Sequence, residues 1–434
     1  MKITNMKVGF ISNHSFLRPG GVKAHILSLK DEFEKRGIET KVVIPRRKKS
    51  ENYDKDIIFL GRSIPVHFRG SESDFSFALN LEKISKVLKK EKFDILHFHN
   101  FGILGYQILR KSKSLNILTI HTGYKRSEIL REKENIWDAP YSSIPKEILK
   151  KFSSLPIDYL IGKVKKRMNG AIAVSSPCLD FCEGYSGPKT VIPNGVDLER
   201  FNPKNKKIKK FQDSKYLNIL FLGRIEERKG LIYLLKAYKI LEKNSFFQGR
   251  FRLRLIIVGD GPLKANCLQF VKKYKLKNVI FEGESSHKKT PSYFATADIF
   301  VSPAVFGESF GIVLLEAMAS GCPIVAFGNK GYKTVMQGKY KDFLVKPKDF
   351  VGLARKIELL IKSPKKRKEM KEFGLKLAKK YSWRKVADRI LDFYEFCQTF
   401  KQSEKTRPSQ NYFKKIGKKI KSKLIDNLYF FNNQ

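Results

Sequence analysis

The segment GESFGIVLLEAMASG, residues 307–321, holds two carboxylates whose spacing could place them around one ligand. Glu308 and Glu316 are eight residues apart, close to a whole number of helical turns, so both face one side if a helix begins near Ser309. A glycine-containing turn that leads into a helix presents backbone N–H groups to an anion, and carboxylates accept hydrogen bonds from hydroxyls. The pair therefore predicts a ligand with both phosphate and polyol, as in a sugar nucleotide. The alternative is an ordinary amphipathic helix with one acid at its amino terminus and another in solvent.

Two further loops combine glycine with positions suited to binding phosphate. Gly20 and Gly21 lie between a strand end and the start of a helical pattern, where missing side chains let a substrate approach the backbone; the alternative is a simple turn. In LFLGRIEERKG, Gly223 ends a strand, Arg224 follows at its carboxyl edge and Lys229 precedes the next helix. The planar fork of arginine and the point charge of lysine can together hold a diphosphate and neutralise charge as it leaves.

Short apolar runs that alternate with helical patterns must position these loops. After the first run, KVGFISN, apolar residues recur at helical spacing up to Gly37. The later runs are FDILHFHN (93–100), NILTIHTG (116–123), GAIAVSS (170–176), LNILFLGR (217–224), RLRLIIVGDGP (252–262), NVIFEG (278–283), ADIFVSP (297–303) and CPIVAFG (322–328). This rhythm indicates βαβ units and parallel sheets, which collect ligands at their carboxyl edges. We predict an α/β chain of two doubly wound domains that face each other across a cleft.

Composition along the chain sets the predicted boundaries. The join, PNGVDLERFNPKNKKIKKFQDSKY, is rich in Pro, Asn and Lys, as an exposed hinge is. We place an N-terminal domain at 1–195, a second domain at 196–383 and a helix that returns to the first domain at about 384–400. The tail, 401–434, has nine basic and two acidic residues, and an apolar stripe at helical spacing made of Phe413, Ile416, Ile420, Leu424 and Leu428. It predicts either a basic amphipathic helix on a membrane surface or a disordered tail.

Composition also excludes several classes of protein. At 434 residues the chain is too long for one typical core, and no run approaches the roughly 18 apolar residues of a membrane span. The first residues lack a secretory signal, so we expect a cytoplasmic protein. Five scattered cysteines indicate reduced thiols rather than disulfides or zinc. The formal net charge of +45 comes without a nucleic-acid-binding module, and so favours an anionic membrane surface or a phosphorylated substrate over nucleic acid.

An ordered set of motifs gives the chain a resemblance to a known family. GGV, HFHN, TIHTG, AVSS, IPNGVD, FLGRIEERKG, VGDGP and GESFGIVLLEAMASG occur in this order between residue 6 and about residue 390. The set resembles the retaining glycosyltransferases of family four, which have the GT-B fold of two Rossmann-like domains around a central cleft. Within that family it is most similar to the phosphatidylinositol alpha-mannosyltransferase branch.

The resemblance implies roles for particular residues. Arg224 and Lys229 would bind the donor diphosphate. Glu308 would hold hydroxyls of the transferred sugar, and Glu316 would hold the ribose hydroxyls. His121 would lie near the sugar or the acceptor nucleophile, with a purely structural histidine as the alternative. The remaining predicted donor contacts are Gly20, Gly21, Gly223, Ser309, Phe310 and Gly311 and, at the wall of the nucleotide pocket, Asp260 and Gly261.

The preceding strand adds two histidines of lower rank. His97 and His99 alternate along the predicted strand at 93–100, so both lie on one side of it. The similar branch usually has an acidic residue where this chain has Asn100, and residues 125–166 have no counterpart in the shared motifs. These two departures leave the identity of the acceptor open.

The predicted chemistry is glycosyl transfer. Breaking an anomeric C–O bond builds negative charge on the departing diphosphate, which a cationic clamp and a helix start stabilise. We predict no metal and no other cofactor, because no DxD-type acidic pair is placed to bind a cation. The resemblance implies retention without an enzymic nucleophile, with covalent attack by Glu308 as the alternative.

We therefore predict a retaining glycosyltransferase that moves a hexose, with mannose as the candidate, from a nucleoside diphosphate sugar to a lipid or glycan acceptor. The predicted location is the cytoplasmic face of a membrane, to which basic and apolar-striped stretches would bind peripherally. The alternatives are a sugar-nucleotide epimerase or a glycan phosphorylase of the same fold, and a non-catalytic module that binds sugar nucleotides or membranes.

Overall fold

Two β-sheets, formed by successive parts of the chain, organise the molecule. The computed structural model describes residues 6–17, 20–68, 71–122, 157–243, 252–286 and 288–406. Within these ranges, both sheets carry helices between their strands, as the alternation of apolar runs predicts. None of the described helices combines the length and the apolar character that crossing a bilayer requires.

The first sheet has eight strands and is parallel apart from one edge. Its strands are β1 (Lys7–Ser12), β2 (Glu39–Arg46), β3 (Ile57–Phe68), β4 (Ser71–Phe77), β5 (Ile95–His99), β6 (Leu115–Ile120), β7 (Gly170–Ala173) and β8 (Lys189–Val191). They lie in the order β4-β3-β2-β1-β5-β6-β7-β8. Among the described strands, β3 and β4 alone pair antiparallel, and they form an edge hairpin that the apolar runs did not predict.

Helices that follow these strands bury one apolar face each. They are α1 (Gly21–Glu34), α2 (Leu81–Glu91), α3 (Ile103–Lys111) and α4 (Ile157–Lys165). In α1, Ile26, Leu29 and Phe33 are buried, as the helical spacing predicts, and His25 is buried beside them.

The second sheet has six strands, all parallel. They are β9 (Tyr216–Leu222), β10 (Arg252–Val258), β11 (Val279–Gly283), β12 (Ile299–Ser302), β13 (Ile324–Phe327) and β14 (Leu344–Val345), in the order β11-β10-β9-β12-β13-β14. The helices that follow are α5 (Leu231–Glu242), α6 (Lys264–Lys273), α7 (Thr290–Thr296), α8 (Ile312–Ala319), α9 (Tyr332–Val335), α10 (Phe350–Lys362), α11 (Pro364–Ala378) and α12 (Trp383–Thr406).

The last helix, α12, returns to the first sheet. Ile390 and Phe393 belong to the same buried cluster as Val8 and Phe10 of β1. The helix runs to Thr406, so it extends past the end predicted at about 400 and includes the first residues of the predicted tail. Residues 407–434, with the predicted apolar stripe, lie outside the described residues, as do residues 123–156. The domain boundaries at 195 and 383 stay predictions.

The sheet orders explain why certain loops share one region. In the first sheet β1 lies between β2 and β5, and in the second β9 lies between β10 and β12. β1 and β9 therefore lie where successive connections run to opposite sides of the sheet, which leaves a crevice at the carboxyl ends of these strands. The loop after β1 leads to Gly20 and Gly21, and the loop after β9 holds Gly223, Arg224 and Lys229.

Candidate active site

Lys229 and Glu308, predicted from separate motifs, form an ion pair. The Nζ atom of Lys229 lies 2.7 Å from Oε1 of Glu308, and the two side chains are 19% and 12% exposed. Gly223 follows β9 with a φ of +154°, and the stem of Lys229 passes 3.9 Å from the position that a Cβ at residue 223 would take. Lys229 therefore lies across the carboxyl end of β9.

A left-handed glycine brings this cation to its partner. Gly230 has a φ of +67°, and a Cβ there would lie only 2.1 Å from the carbonyl oxygen of Pro303. The amide of Val305 also donates to the carbonyl of Arg228 over 2.8 Å. The loops after β9 and β12 are thus in close contact, and only glycine at 230 permits the approach. This contact sets Arg228 and Lys229 against the segment that carries Glu308.

Arg228 is a functional candidate that the sequence analysis missed. Its Nη1 atom donates to Oε1 of Glu308 over 2.8 Å, and its Nε atom lies 2.5 Å from Oε1 of the buried Glu226. The Nε atom of Arg224 lies 3.5 Å from the other oxygen of Glu226, and Arg224 is 44% exposed. We call Arg224, Arg228 and Lys229 the cationic clamp. Three cations with two carboxylates leave it net positive and suited to an anion.

The loop before α8 corrects one expectation. The helix begins at Ile312 rather than near Ser309, because Gly307 and Gly311 have φ values of +74° and +107°, which keep residues 307–311 out of the helix. A Cβ at 311 would lie 2.7 Å from the ring of Tyr332. Glu308 is therefore a loop residue at the helix start.

The residues of this loop contact different parts of the chain. Phe310 is buried, with its ring centroid 6.1 Å from that of Tyr381. The backbone carbonyl of Ser309 accepts a hydrogen bond from the Ser175 hydroxyl of the AVSS motif. That bond joins the start of α8 to the segment after β7, so the two halves of the chain meet here.

Glu316 lies in surroundings different from those of Glu308. It lies in the second turn of α8, and its burial raises the pKa of its carboxyl to about 7, a rise that the positive charge of Arg200 opposes. Arg200, in the hinge segment, is a second residue that the sequence analysis did not select. Each predicted carboxylate thus has its own cationic surroundings, and the two are not side by side on one helical face.

The loop after β10 packs against the loop after β9. A Cβ at Gly259 would lie 2.0 Å from the carbonyl oxygen of Gly223, and the amide of Ile225 donates to the carbonyl of Asp260 over 2.9 Å. Asp260 accepts from the amide of Gly261 over 2.7 Å and from Lys264 Nζ over 2.6 Å. The Lys264 ammonium and the Gly261 amide hold the pKa of Asp260 below its usual range. Asp260 and Gly261 therefore border the clamp, at the mouth of the same crevice.

The glycine pair of the first half faces the start of α8. Gly20 accepts the first hydrogen bond of α1 from Ala24 and is exposed, as is Gly21. A Cβ at Gly21 would lie 3.5 Å from Cδ1 of Ile312, the first residue of α8. Two helix amino termini, one from each half of the chain, thus meet across the crevice, and both favour negative charge.

His121 lies where β6 ends, in a cluster of imidazoles. Its Nε2 atom is 3.0 Å from Nδ1 of His99, and its ring centroid is 4.7 Å from that of His25. The backbone amide of His121 donates to the side-chain oxygen of Asn100 over 2.8 Å. Asn100, which departs from the pattern of the similar branch, therefore fixes the strand end that carries His121.

Burial keeps these imidazoles neutral. It lowers the pKa of His25 to about 4, although the hydrogen bond to Asn194 works in the opposite direction. Burial, together with the neighbouring imidazoles, lowers the pKa values of His99 and His121 well below the usual range. At neutral pH these rings can donate and accept hydrogen bonds but carry no charge.

His97 is a structural residue. It is fully buried, its Nε2 atom is 2.6 Å from the Thr119 hydroxyl, and its Nδ1 atom is 2.6 Å from the hydroxyl of Tyr394 in α12. These two hydrogen bonds fasten the returning helix to the first sheet. Its strand neighbour His99, in contrast, belongs to the imidazole cluster with His121.

Each half of the chain matches a glycosyltransferase family. The family described as Glycosyltransferase Family 4 matches residues 19–200, and the one described as Glycosyl transferases group 1 matches residues 202–377. The chain belongs to the family-four glycosyltransferases and is an enzyme that transfers a glycosyl group, as its motifs predict.

The chain is also similar to individual enzymes of this class. A phosphatidyl-myo-inositol mannosyltransferase from Mycobacterium leprae is 28% identical over 400 residues, which cover 91% of this chain and 98% of that protein. An alpha-monoglucosyldiacylglycerol synthase from Streptococcus pneumoniae is 26% identical over a stretch that covers 77% of this chain and 74% of that protein.

Solved structures share the fold. A sucrose-phosphate synthase from Thermosynechococcus elongatus superimposes with a TM-score of 0.67 at 16% identity, over 92% of this chain and all 100% of its own. A glycosyltransferase from Rickettsia africae superimposes with a TM-score of 0.66 at 17% identity, over 91% of this chain and 99% of that protein's chain. The fold is GT-B, as predicted.

Proposed function

We propose that this enzyme transfers a hexose, with mannose as the first candidate, from a nucleoside diphosphate sugar to a lipid acceptor with retention. The observation that carries the proposal is the convergence of Arg228 and Lys229 on Glu308 beside the start of α8, opposite the glycine pair of the first half. The name of the Mycobacterium leprae relative supports mannose and an inositol lipid.

The clamp supplies what departure of a diphosphate needs. Negative charge on the leaving group grows as the anomeric C–O bond breaks, and fixed cations stabilise it most when they need no rearrangement. Glu308 and Glu226 hold Arg228 and Lys229 in place before the donor enters. Arg224, the most exposed of the three cations, can reach the outer phosphate. On this proposal no metal ion is required.

Glu308 has a separate role toward the sugar. Both of its ion pairs use Oε1, so we assign Oε2 to the hydroxyls of the transferred hexose. A carboxylate held by two cations is a weak nucleophile, which favours this positioning role over covalent attack. In the resulting mechanism the acceptor attacks from the face that the diphosphate vacates.

The acceptor side is less charged. His121 is neutral and can hydrogen-bond either to the acceptor hydroxyl or to the sugar, consistent with its position at the carboxyl end of β6.

We place the enzyme at the cytoplasmic face of a membrane, held there by its net charge of +45 and by the basic segment 407–434. Nucleic acid is not a partner in this proposal.

Product analysis tests the proposal. Tag-free protein is incubated with radiolabelled GDP-mannose or UDP-glucose and vesicles that contain phosphatidylinositol or diacylglycerol, the second pair prompted by the Streptococcus pneumoniae relative. We expect a labelled lipid whose anomeric configuration matches the donor. An isomerised sugar nucleotide would indicate an epimerase, and phosphate-dependent cleavage of glycan would indicate a phosphorylase. Donor binding without turnover on any acceptor would indicate a non-catalytic module.

A further inference from the structure

We propose that His25, His99 and His121 form a binding site for a transition-metal ion of the zinc type on the acceptor side of the crevice. The three residues come from α1, the end of β5 and the position after β6, and each offers a ring nitrogen such that all three nitrogens lie within 4.8 Å of one another. We call them the histidine trio. This differs from the sequence-based expectation of no metal.

A ring nitrogen of His25 has no hydrogen-bond partner among the described residues and is free to bind a metal ion. The Nδ1 atom of His25 lies 2.8 Å from the side-chain oxygen of Asn194, to which it donates, so Nε2 carries the lone pair. That Nε2 atom is buried without a hydrogen-bond partner among the described residues. The His25 and His99 residues are 1% and 0% exposed. Buried polar atoms of this kind are costly unless something binds them.

The spacing of the nitrogens suits tetrahedral coordination. Zn–N bonds of about 2.0–2.1 Å at tetrahedral angles separate two ligand nitrogens by about 3.3 Å. Nδ1 of His99 and Nε2 of His121 are 3.0 Å apart, and all three nitrogens lie within 4.8 Å of one another. A metal ion would replace the hydrogen bond between His99 and His121, and ring rotation would bring the three nitrogens to that separation. The hydrogen bond from His25 to Asn194 is the outer contact that fixes the tautomer and orientation of a metal-binding histidine.

The chemistry of the trio selects the class of ion. Imidazole nitrogens suit Zn²⁺, Cu²⁺ and Ni²⁺, whereas Mg²⁺ and Ca²⁺ require oxygen ligands that the trio lacks. The ring centroid of Trp383 lies 4.9 Å from that of His25, with the two ring planes nearly perpendicular, so Trp383 encloses one side. His121 is half-buried, so a fourth position opens toward the crevice.

Metal binding has a consequence for transfer, which rests on the proposed function. It would engage a ring nitrogen of His121 and add two positive charges beside the acceptor, so we expect zinc to inhibit the enzyme. The binding test itself needs no turnover. A failure of the transfer assay and a failure of the metal site are therefore distinguishable.

The test is titration of tag-free full-length protein with Co²⁺ and Zn²⁺. We expect one equivalent to bind with the visible absorption of tetrahedral Co²⁺, and Zn²⁺ to displace it. His25→Gln and His99→Gln should each weaken binding at least tenfold, and Asn194→Ala should weaken it about 10–100-fold, as loss of an outer contact does. His14→Gln is the control, because His14 is outside the trio and 34% exposed.

Each alternative outcome overturns the proposal. Absence of a bound equivalent in the wild type would do so, as would binding that survives both His25→Gln and His99→Gln. The five described cysteines are all buried. A thiolate-to-cobalt charge-transfer band would assign the metal to them instead. Asn194→Asp guards against misfolded variants, since a carboxylate on Nδ1 should tighten binding in a folded protein.

Discussion

The substitution Lys229→Met removes the most buried cation of the clamp and keeps the length of its stem. Lys229 lies 2.7 Å from Glu308 and is 19% exposed, so its charge acts in a partly desolvated place. We expect kcat to fall about 10²–10³-fold, or roughly 3–4 kcal/mol, which is what loss of one preorganised group at a developing charge costs. The effect should fall on kcat more than on KM, because the charge on the diphosphate is largest in the transition state.

The assay is initial-rate transfer of label from the donor at saturating acceptor, with donor concentration varied. The matched control is Lys35→Met, which also removes one positive charge but from a surface ion pair with Asp31, where Lys35 is 56% exposed. The control should transfer at the wild-type rate, because an exposed pair contributes about 0–1 kcal/mol and touches no substrate. Circular dichroism and thermal unfolding show whether both variants are folded.

A folded Lys229→Met protein with kcat within threefold of wild type would show that the clamp does not stabilise the leaving group. A rise in KM at unchanged kcat would mean that Lys229 binds the donor equally in ground and transition states. Lys229→Arg separates charge from shape. It should recover part of the rate, since the guanidinium keeps the charge but not the geometry of an ammonium.

Three further predictions address other parts of the chain. Glu316→Gln should flatten the pH dependence of unfolding. Because the folded pKa of Glu316 is about 7 against 4.5 unfolded, the contribution of this residue to stability is complete below pH 4.5 and falls by up to about 3 kcal/mol as pH rises through 7. Denaturant titrations at pH 5 and 8 measure this difference. Gly311→Ala, at a φ of +107° and 2.7 Å from the Tyr332 ring, should destabilise by about 1–3 kcal/mol or more in thermal unfolding; an unchanged melting temperature would contradict the strained-turn explanation. Deleting 407–434 should weaken salt-sensitive sedimentation with anionic vesicles, and unaltered sedimentation would remove the anchoring role.

Apolar runs were enough to predict most of the fold. β1, β5 and β6 are buried along nearly their whole length, so their sequences read as continuous apolar stretches that end in polar residues. The hairpin β3–β4 escaped prediction because it lies at the sheet edge, where Ser, Arg, Glu and Asp alternate with apolar residues. The start of α8 was misplaced because its position depends on Tyr332 packing under Gly311, a contact between segments distant in sequence.

For a similar reason, the sequence selected only some of the residues that meet at the candidate site. Motif order located Lys229 and Glu308, but one arginine among 87 basic residues carries no signal until the loops after β9 and β12 meet and bring Arg228 to Glu308. The same holds for Arg200, whose effect on Glu316 arises only in the folded chain. His25 was not selected from the sequence, because its unpaired nitrogen on the buried face of α1 is visible only once β5 and β6 are beside it.

The two sides of the crevice differ in charge, and this difference bears on how a donor is oriented. A protein with a net charge of +45 attracts anions everywhere, so attraction alone cannot tell a diphosphate where to lie. Burial removes the charge from His25, His99 and His121 on the first half, while carboxylates hold three cations in place on the second. Charged imidazoles would compete with the clamp for the phosphates and would favour the opposite orientation of the donor. On the proposed function, neutral imidazoles leave the diphosphate to the clamp, so that the sugar faces His121 and the acceptor.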